Sequence, residues 1–197
     1  MTTLFLDANV LYSRALRDWF ALLAIESRRS LLSDRIDLRV SEDVLSEWMY
    51  HFRRKNPHYG DEAIGQRRRE LAGSQTDQFV VTGYQPVDIP GFPDIHDLHV
   101  VAAATHCGAE FIVTADQALH NAADALEPEP MHPDDLLVLI SERRMDLVSI
   151  VTGHQMKYWS KKAPDVDLPG ALRQADAPQF ANVVEDRIRL FGRTGRY

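Results

Sequence analysis

The chain has 197 residues, of which 45% are hydrophobic and 26% charged, and it carries a formal net charge of −7 at pH 7. That length fits one domain, or one domain with an extension, and the composition excludes a disordered or fibrous chain, while the acidic balance excludes a protein that coats nucleic acid by bulk electrostatics. The lone Cys107 excludes an internal disulfide, apolar runs such as 100–104 and 136–140 are far short of the ~20 residues of a membrane span, and MTTLFLDANV lacks the basic n-region and long apolar run expected of a secretion signal. The expectation is a cytoplasmic protein with no membrane insertion.

In chain order, residues 3–6 form a short apolar run that predicts a strand. Leu11, Ala15, Leu16, Trp19, Leu22 and Leu23 then recur at helical spacing. Residues 36–40 predict a second strand. Ser41 stands at an N-cap position before a helix whose apolar stripe is Val44, Leu45, Trp48, Met49 and Phe52. Pro57 and Gly60 break it, and a polar, arginine-rich helix follows over 61–72. Residues 78–82 predict a third strand, and Gly83, Pro86, Pro90, Gly91 and Pro93 mark a long loop. An alanine-rich helix over 98–107 ends at Gly108, residues 111–113 form a fourth strand, and 119–126 a further helix. An extended segment at 127–131 is expected as a fifth strand, held to an edge by its two prolines.

Beyond Met131 the pattern becomes helical, with helices over 134–143, 146–159 and 178–191 and a loop over 160–170. Pro178 suits the first helical position after a capping Asp176. Strands alternating with helices predict a three-layer α/β/α fold around a mostly parallel sheet of four or five strands, with C-terminal helices added. The division is a unit of residues 1–131 and a helical extension of 132–197.

Ligands bind such sheets beyond the carboxyl ends of the strands. Asp7 follows the first strand, Asp116 the fourth, and Asp94 and Asp97 the loop after the third. Glu47 lies off the apolar stripe of its helix, where it can face a cleft. Each acid alone suits a helix cap or first turn, but caps do not explain acids at successive strand ends. Gathered carboxylates repel one another unless a divalent cation neutralises them, and an all-oxygen donor set suits Mg²⁺ or Mn²⁺. All but four of the 22 basic residues are arginine, and Arg53, Arg54 and the run Arg67, Arg68 and Arg69 are candidates for steering a phosphate backbone.

The segments LFLDANVLYSRAL, VSEDVLSEW, DIHDLHVVAAA and FIVTADQAL, in this order and context, resemble the acidic motifs of PIN-domain nucleases, including VapC-type toxins. The resemblance spans Leu4 to about Met131. It implies that Asp7, Glu47, Asp97 and Asp116 are the catalytic acids, and that Asp7, Asp97 and Asp116 hold one or two Mg²⁺ or Mn²⁺ ions. Asp94 is an additional acid that competes with Asp97 for direct contact, with Asp97 favoured. Asn9 and Thr114 match the polar residues that orient these ligands from behind. The resemblance also implies a metal-dependent ribonuclease, the toxin of a type II toxin–antitoxin pair, with RNA as substrate, a small antitoxin as partner and a homodimer as assembly. The residues beyond Met131 exceed the compact form of such toxins and resemble a longer subgroup.

Other readings lack their key residues. A receiver module needs a lysine near the fifth strand, yet no lysine lies between Lys55 and Lys157. An aspartyl phosphatase would need a second acid where Asn9 stands. His96, His99, His106 and Cys107 form no zinc-binding frame and read as structural. The remaining alternative is a PIN-like scaffold that binds RNA or protein without cleaving it.

Overall fold

The computed structural model describes residues 1–30, 35–73, 79–89, 92 and 95–194. Gln78, Pro90, Gly91, Pro93 and Asp94, named or spanned in the expectations above, lie outside the described residues. Five strands make one parallel sheet: β1 (Thr2–Leu6), β2 (Ile36–Ser41), β3 (Val80–Val81), β4 (Phe111–Val113) and β5 (Glu129–Met131). The spatial order is β3-β2-β1-β4-β5, and Leu4 stands opposite both Leu38 and Phe111. Leu4, Phe5 and Ile112 are fully buried, as expected where helices cover both faces of a parallel sheet. The architecture is three-layer α/β/α with C-terminal helices. β5 pairs with β4 at an edge, where Pro130 removes no ladder donor that a second neighbour would need.

Ten α-helices are described: α1 (Ala8–Tyr12), α2 (Arg14–Arg29), α3 (Glu42–Lys55), α4 (Asp61–Gly73), α5 (Leu98–His106), α6 (Gln117–Asn121), α7 (Pro133–Arg143), α8 (Met145–Lys162), α9 (Leu168–Gln174) and α10 (Pro178–Thr194). Ser41 caps α3 as its position predicts, its hydroxyl accepting from the Val44 amide at 3.2 Å. Gly108 ends α5 at φ 63°, a left-handed conformation that glycine adopts without a steric penalty.

Several local expectations are corrected. A break at Ser13 separates α1 from α2, and the Ser13 hydroxyl caps α2 by accepting from Leu16 N. The helix expected over 119–126 is shorter, ending at Asn121 and followed by a 3₁₀ turn at Ala123–Ala125. Part of the loop expected over 160–170 is helix at both ends: α8 continues to Lys162 and α9 begins at Leu168. Asp176 does not cap α10; it takes φ 59°, and the Gln179 and Phe180 amides donate instead to the Asp134 carboxylate from α7 at 3.0 and 2.8 Å.

The C-terminal helices share one hydrophobic core with the rest of the chain. Leu136, Val148, Leu172, Phe180 and Val184 belong to the same buried cluster as Leu4, Trp19 and Phe20. The Phe180 ring meets Trp19 edge-on, with centroids 5.0 Å apart. Among the described residues no helix is long and apolar enough to cross a membrane.

Candidate active site

The strand order places a topological switch between β1 and β4, because the chain builds β2 and β3 on one side of β1 and β4 and β5 on the other. Connections diverge there and open a crevice at the carboxyl edge, the usual ligand position in such sheets. The crevice begins where the Asp7 amide donates to Val113 O at 3.1 Å, joining the ends of β1 and β4.

Asp7 is 7% exposed. Its Oδ1 accepts from Ala8 N at 2.6 Å, capping α1, while Oδ2 accepts from Asn9 Nδ2 at 2.6 Å and the Thr114 hydroxyl at 2.7 Å. Asn9 Nδ2 also reaches Thr114 Oγ1 at 2.9 Å, and Asn9 Oδ1 accepts from Ala115 N at 3.2 Å. Thr114 Oγ1 in turn accepts from Asp116 N at 2.9 Å. Asn9 and Thr114 therefore tie the ends of β1 and β4 together and fix the orientation of Asp7. Asp116 is half-buried and caps α6 through Ala118 N at 2.6 Å.

Burial pushes the Asp7 carboxyl above its ordinary range, because charge is poorly solvated there; the hydrogen bonds from Thr114 and Ala8 oppose the shift, and the charge of Glu47 adds to it. Glu47 is half-buried and accepts from the Tyr12 hydroxyl at 3.0 Å. Burial and the neighbouring charge of Glu47 raise the Tyr12 hydroxyl as well, so it stays a protonated donor. Asp97 is half-buried at the start of α5 and makes no side-chain capping bond to that helix.

Tyr12 and His99 belong to the site, although the sequence reading leaves Tyr12 out and treats His99 as structural. The His99 ring acts electrostatically on Asp7; its Nδ1 lies 2.6 Å from His96 O, and its buried Nε2 has no hydrogen-bond partner among the described residues. The available signals were spacing: Tyr12 stands on the helix that Asp7 caps, and His99 two residues beyond Asp97.

The arginines lie on α3 and α4. Arg53 pairs with Asp61 at 2.6 Å, Arg67 with Glu70 at 3.1 Å and Arg68 with Glu42 at 2.6 Å, while Arg54 is exposed. A cavity of about 510 Å³ adjoins the site, lined by Asn9, Tyr12, Lys55 and Ala115 on one side and by His132 and Ala175 on the other.

The donor chemistry fits a hard divalent cation. Asp7, Glu47 and Asp116 offer carboxylate oxygens, the hard donors such a cation takes, and the buried His99 Nε2 has no hydrogen-bond partner among the described residues. In the described residues the acids are linked stepwise, Asp7 to Glu47 through charge and Asp7 to Asp116 through Thr114. No three histidine, cysteine or acidic residues among the described residues stand close enough together to hold one ion in this arrangement. No family model, curated protein or solved structure matches the chain.

Proposed function

We propose that this chain is a divalent-metal-dependent ribonuclease of PIN-like type, which hydrolyses RNA phosphodiester bonds at the carboxyl edge of β1 and β4. The observation that carries the reading is the buried Asp7 carboxylate, fixed by Asn9 and Thr114 at the switch point and facing the charge of Glu47. A carboxylate kept in so unfavourable a place is characteristic of functional sites.

Asp7, Asp97 and Asp116 would hold Mg²⁺ or Mn²⁺, which requires them to draw closer together than in the arrangement described above. When bound, the cation makes water a stronger acid and neutralises charge that develops on the phosphate. Glu47 Oε1 is taken by the Tyr12 hydroxyl, which leaves Oε2 to orient the attacking water and take its proton. The water oxygen forms the new bond to phosphorus as the bond to the leaving oxygen breaks. Asn9 and Thr114 keep the Asp7 oxygens from rotating. The motif resemblance extends this reading to a cytoplasmic toxin held in check by a small antitoxin, with a homodimer as the assembly.

One observation favours a second reading, a scaffold that binds RNA or protein without cleaving it: the separation of the acids in the arrangement described above. Cleavage assays with purified protein in Mg²⁺ or Mn²⁺, in EDTA, and with Asp7→Asn decide between them. The hydrolase reading expects metal-dependent cleavage that Asp7→Asn reduces at least about 100-fold, the order of effect of losing one preorganised charge-stabilising group. Intact RNA in every condition, after removal of any copurifying inhibitor, leaves the scaffold.

A further inference from the structure

A second groove, of about 690 Å³, runs beside the site and is built from one face each of α2, α3, α4 and the end of α8. Helical spacing sets these faces: Arg14, Arg17 and Asp18 on α2, and His51, Phe52 and Lys55 on α3. Tyr158 and Lys162 stand one turn apart on α8.

The groove is basic in an acidic protein. Arg14, Arg17, Lys55, Arg67 and Lys162 line it against only Asp18 and Glu70, in a chain of net charge −7. Arg14 meets Asp18 at 3.4 Å and Arg67 meets Glu70 at 3.1 Å; these pairs are exposed and exchange readily for another anion. Lys55 and Lys162 are exposed and have no carboxylate partner among the described residues.

The same groove carries aromatic faces. Tyr59 is 36% and Tyr158 44% exposed; one side of the Tyr59 ring meets Phe52 and His58, with centroids 5.7 and 4.8 Å away, and Tyr158 meets Trp159 edge-on at 5.1 Å, which leaves part of each ring open to the groove. Lys162 Nζ lies 5.3 Å from the Tyr158 ring centroid, and Lys55 Nζ lies 5.9 Å from that of Tyr12. Cations beside accessible rings match a polymer that alternates phosphates with flat bases, whereas an acidic peptide would use the cations and leave the rings idle. A duplex hides its base faces, so the fit is to a single strand.

The groove also leads to the acids. Tyr12, Arg14 and Lys55 line both it and the cavity beside Asn9 and Ala115, and the Tyr12 hydroxyl touches Glu47. We propose that this groove binds single-stranded nucleic acid, with phosphates on Arg14, Lys55, Arg67 and Lys162 and bases stacked on Tyr59 and Tyr158. The proposal rests on the hydrolase reading for taking that strand to be RNA. It also assigns the end of α8 a task, gripping substrate beyond the scissile bond.

The test is fluorescence anisotropy of the full chain with a fluorescein-labelled oligouridine of about 12 nucleotides in EDTA, where binding is read apart from cleavage. Each phosphate contact to a single strand adds about 0.7 to the slope of log affinity against log salt. Lys55→Ala with Lys162→Ala should therefore lower that slope by about 1.4. Tyr158→Ala should weaken binding about 5-fold or more, and Tyr158→Phe should restore it, since stacking needs the ring alone. Affinities and slopes that match the parent in all these variants overturn the groove. So does failure of the parent to bind, equal affinity for a duplex of the same length, or equally potent competition by polyglutamate. Cleavage by the parent with unchanged binding in the variants removes the groove and leaves the hydrolase. Groove-dependent binding without cleavage removes the hydrolase and leaves the groove.

Discussion

Asp7 caps a helix and is also held, by three hydrogen bonds, as a charge in a place that disfavours charge. Cap and ligand are not rival explanations here, because the cap uses Oδ1 and the cross-strand contacts use Oδ2. The upward shift of the Asp7 carboxyl has a consequence for stability that needs no substrate. The folded chain binds the Asp7 proton more tightly than the unfolded chain, whose ordinary value is 3.8. The stabilising contribution is therefore fully present below that value and is lost as pH rises through the raised folded value. Asp7→Asn removes the ionisation, so in EDTA the melting temperature of the variant relative to the parent should climb as pH rises above the ordinary carboxyl value of 3.8. A difference that stays flat, or falls, would mean that Asp7 is well solvated. From the sequence, Asp7, Glu47, Asp97 and Asp116 were legible as candidates, since Asp7 and Asp116 stand just after strands, Asp97 opens the helix beyond the third strand's loop, and Glu47 lies off an apolar stripe. Tyr12 and His99 were not, because a contact such as Tyr12 to Glu47 spans 35 residues and no local pattern encodes it.

Among the elements, the core strands were the most legible: the apolar runs at 3–6 and 111–113 leave few alternatives once buried on both faces, and 36–40 alternates buried apolar residues with the half-buried Asp37 and Arg39 at strand period. The least legible was α9, whose Pro169 and Gly170 read as loop residues. It folds because the Asp167 side chain accepts from Gly170 N at 2.9 Å, Pro169 suits a first turn, and Leu168 and Leu172 bury one turn apart. A Cβ at position 170 would run into the Asp167 carboxylate, so the glycine permits the cap. The start of α10 was misread for a related reason. Its capping group comes from Asp134, 3% exposed on another helix, which a search of adjacent residues does not find. Helix N-termini leave amides unsatisfied, and carboxylate bonds to them are each worth roughly 1.5–3 kcal/mol. Asp134→Ala should therefore cost about 3 kcal/mol in urea denaturation at an unchanged slope. A loss below about 0.5 kcal/mol would show that water replaces the carboxylate at no cost.

For the whole molecule, the question is whether the C-terminal helices are an attachment or part of the fold. Trp19 and Phe20 of α2 lie in a core that also contains Leu136, Leu147, Val148, Val151 and Phe180 from α7, α8 and α10. Each fully buried side chain of this kind contributes about 1.5–3 kcal/mol, and a domain retains only about 5–15 kcal/mol of net stability. Ending the chain at Met131 removes those partners and uncovers Trp19, which is 2% exposed in the full chain. The truncated chain should aggregate, or fluctuate without a cooperative melt, while the full chain unfolds in a single transition. Phe180→Ala, a gentler probe of the same contact, should cost about 3–5 kcal/mol. Sizing by light scattering, with near-ultraviolet circular dichroism on heating, checks the truncation. A soluble monomer of residues 1–131 with a sharp melt would show that α1 to α6 close a core of their own. The C-terminal helices would then be present for the groove alone. Aggregation of the truncated chain, with a full chain that melts once, would mean that the groove wall formed by α8 cannot be separated from the fold that supports the acids.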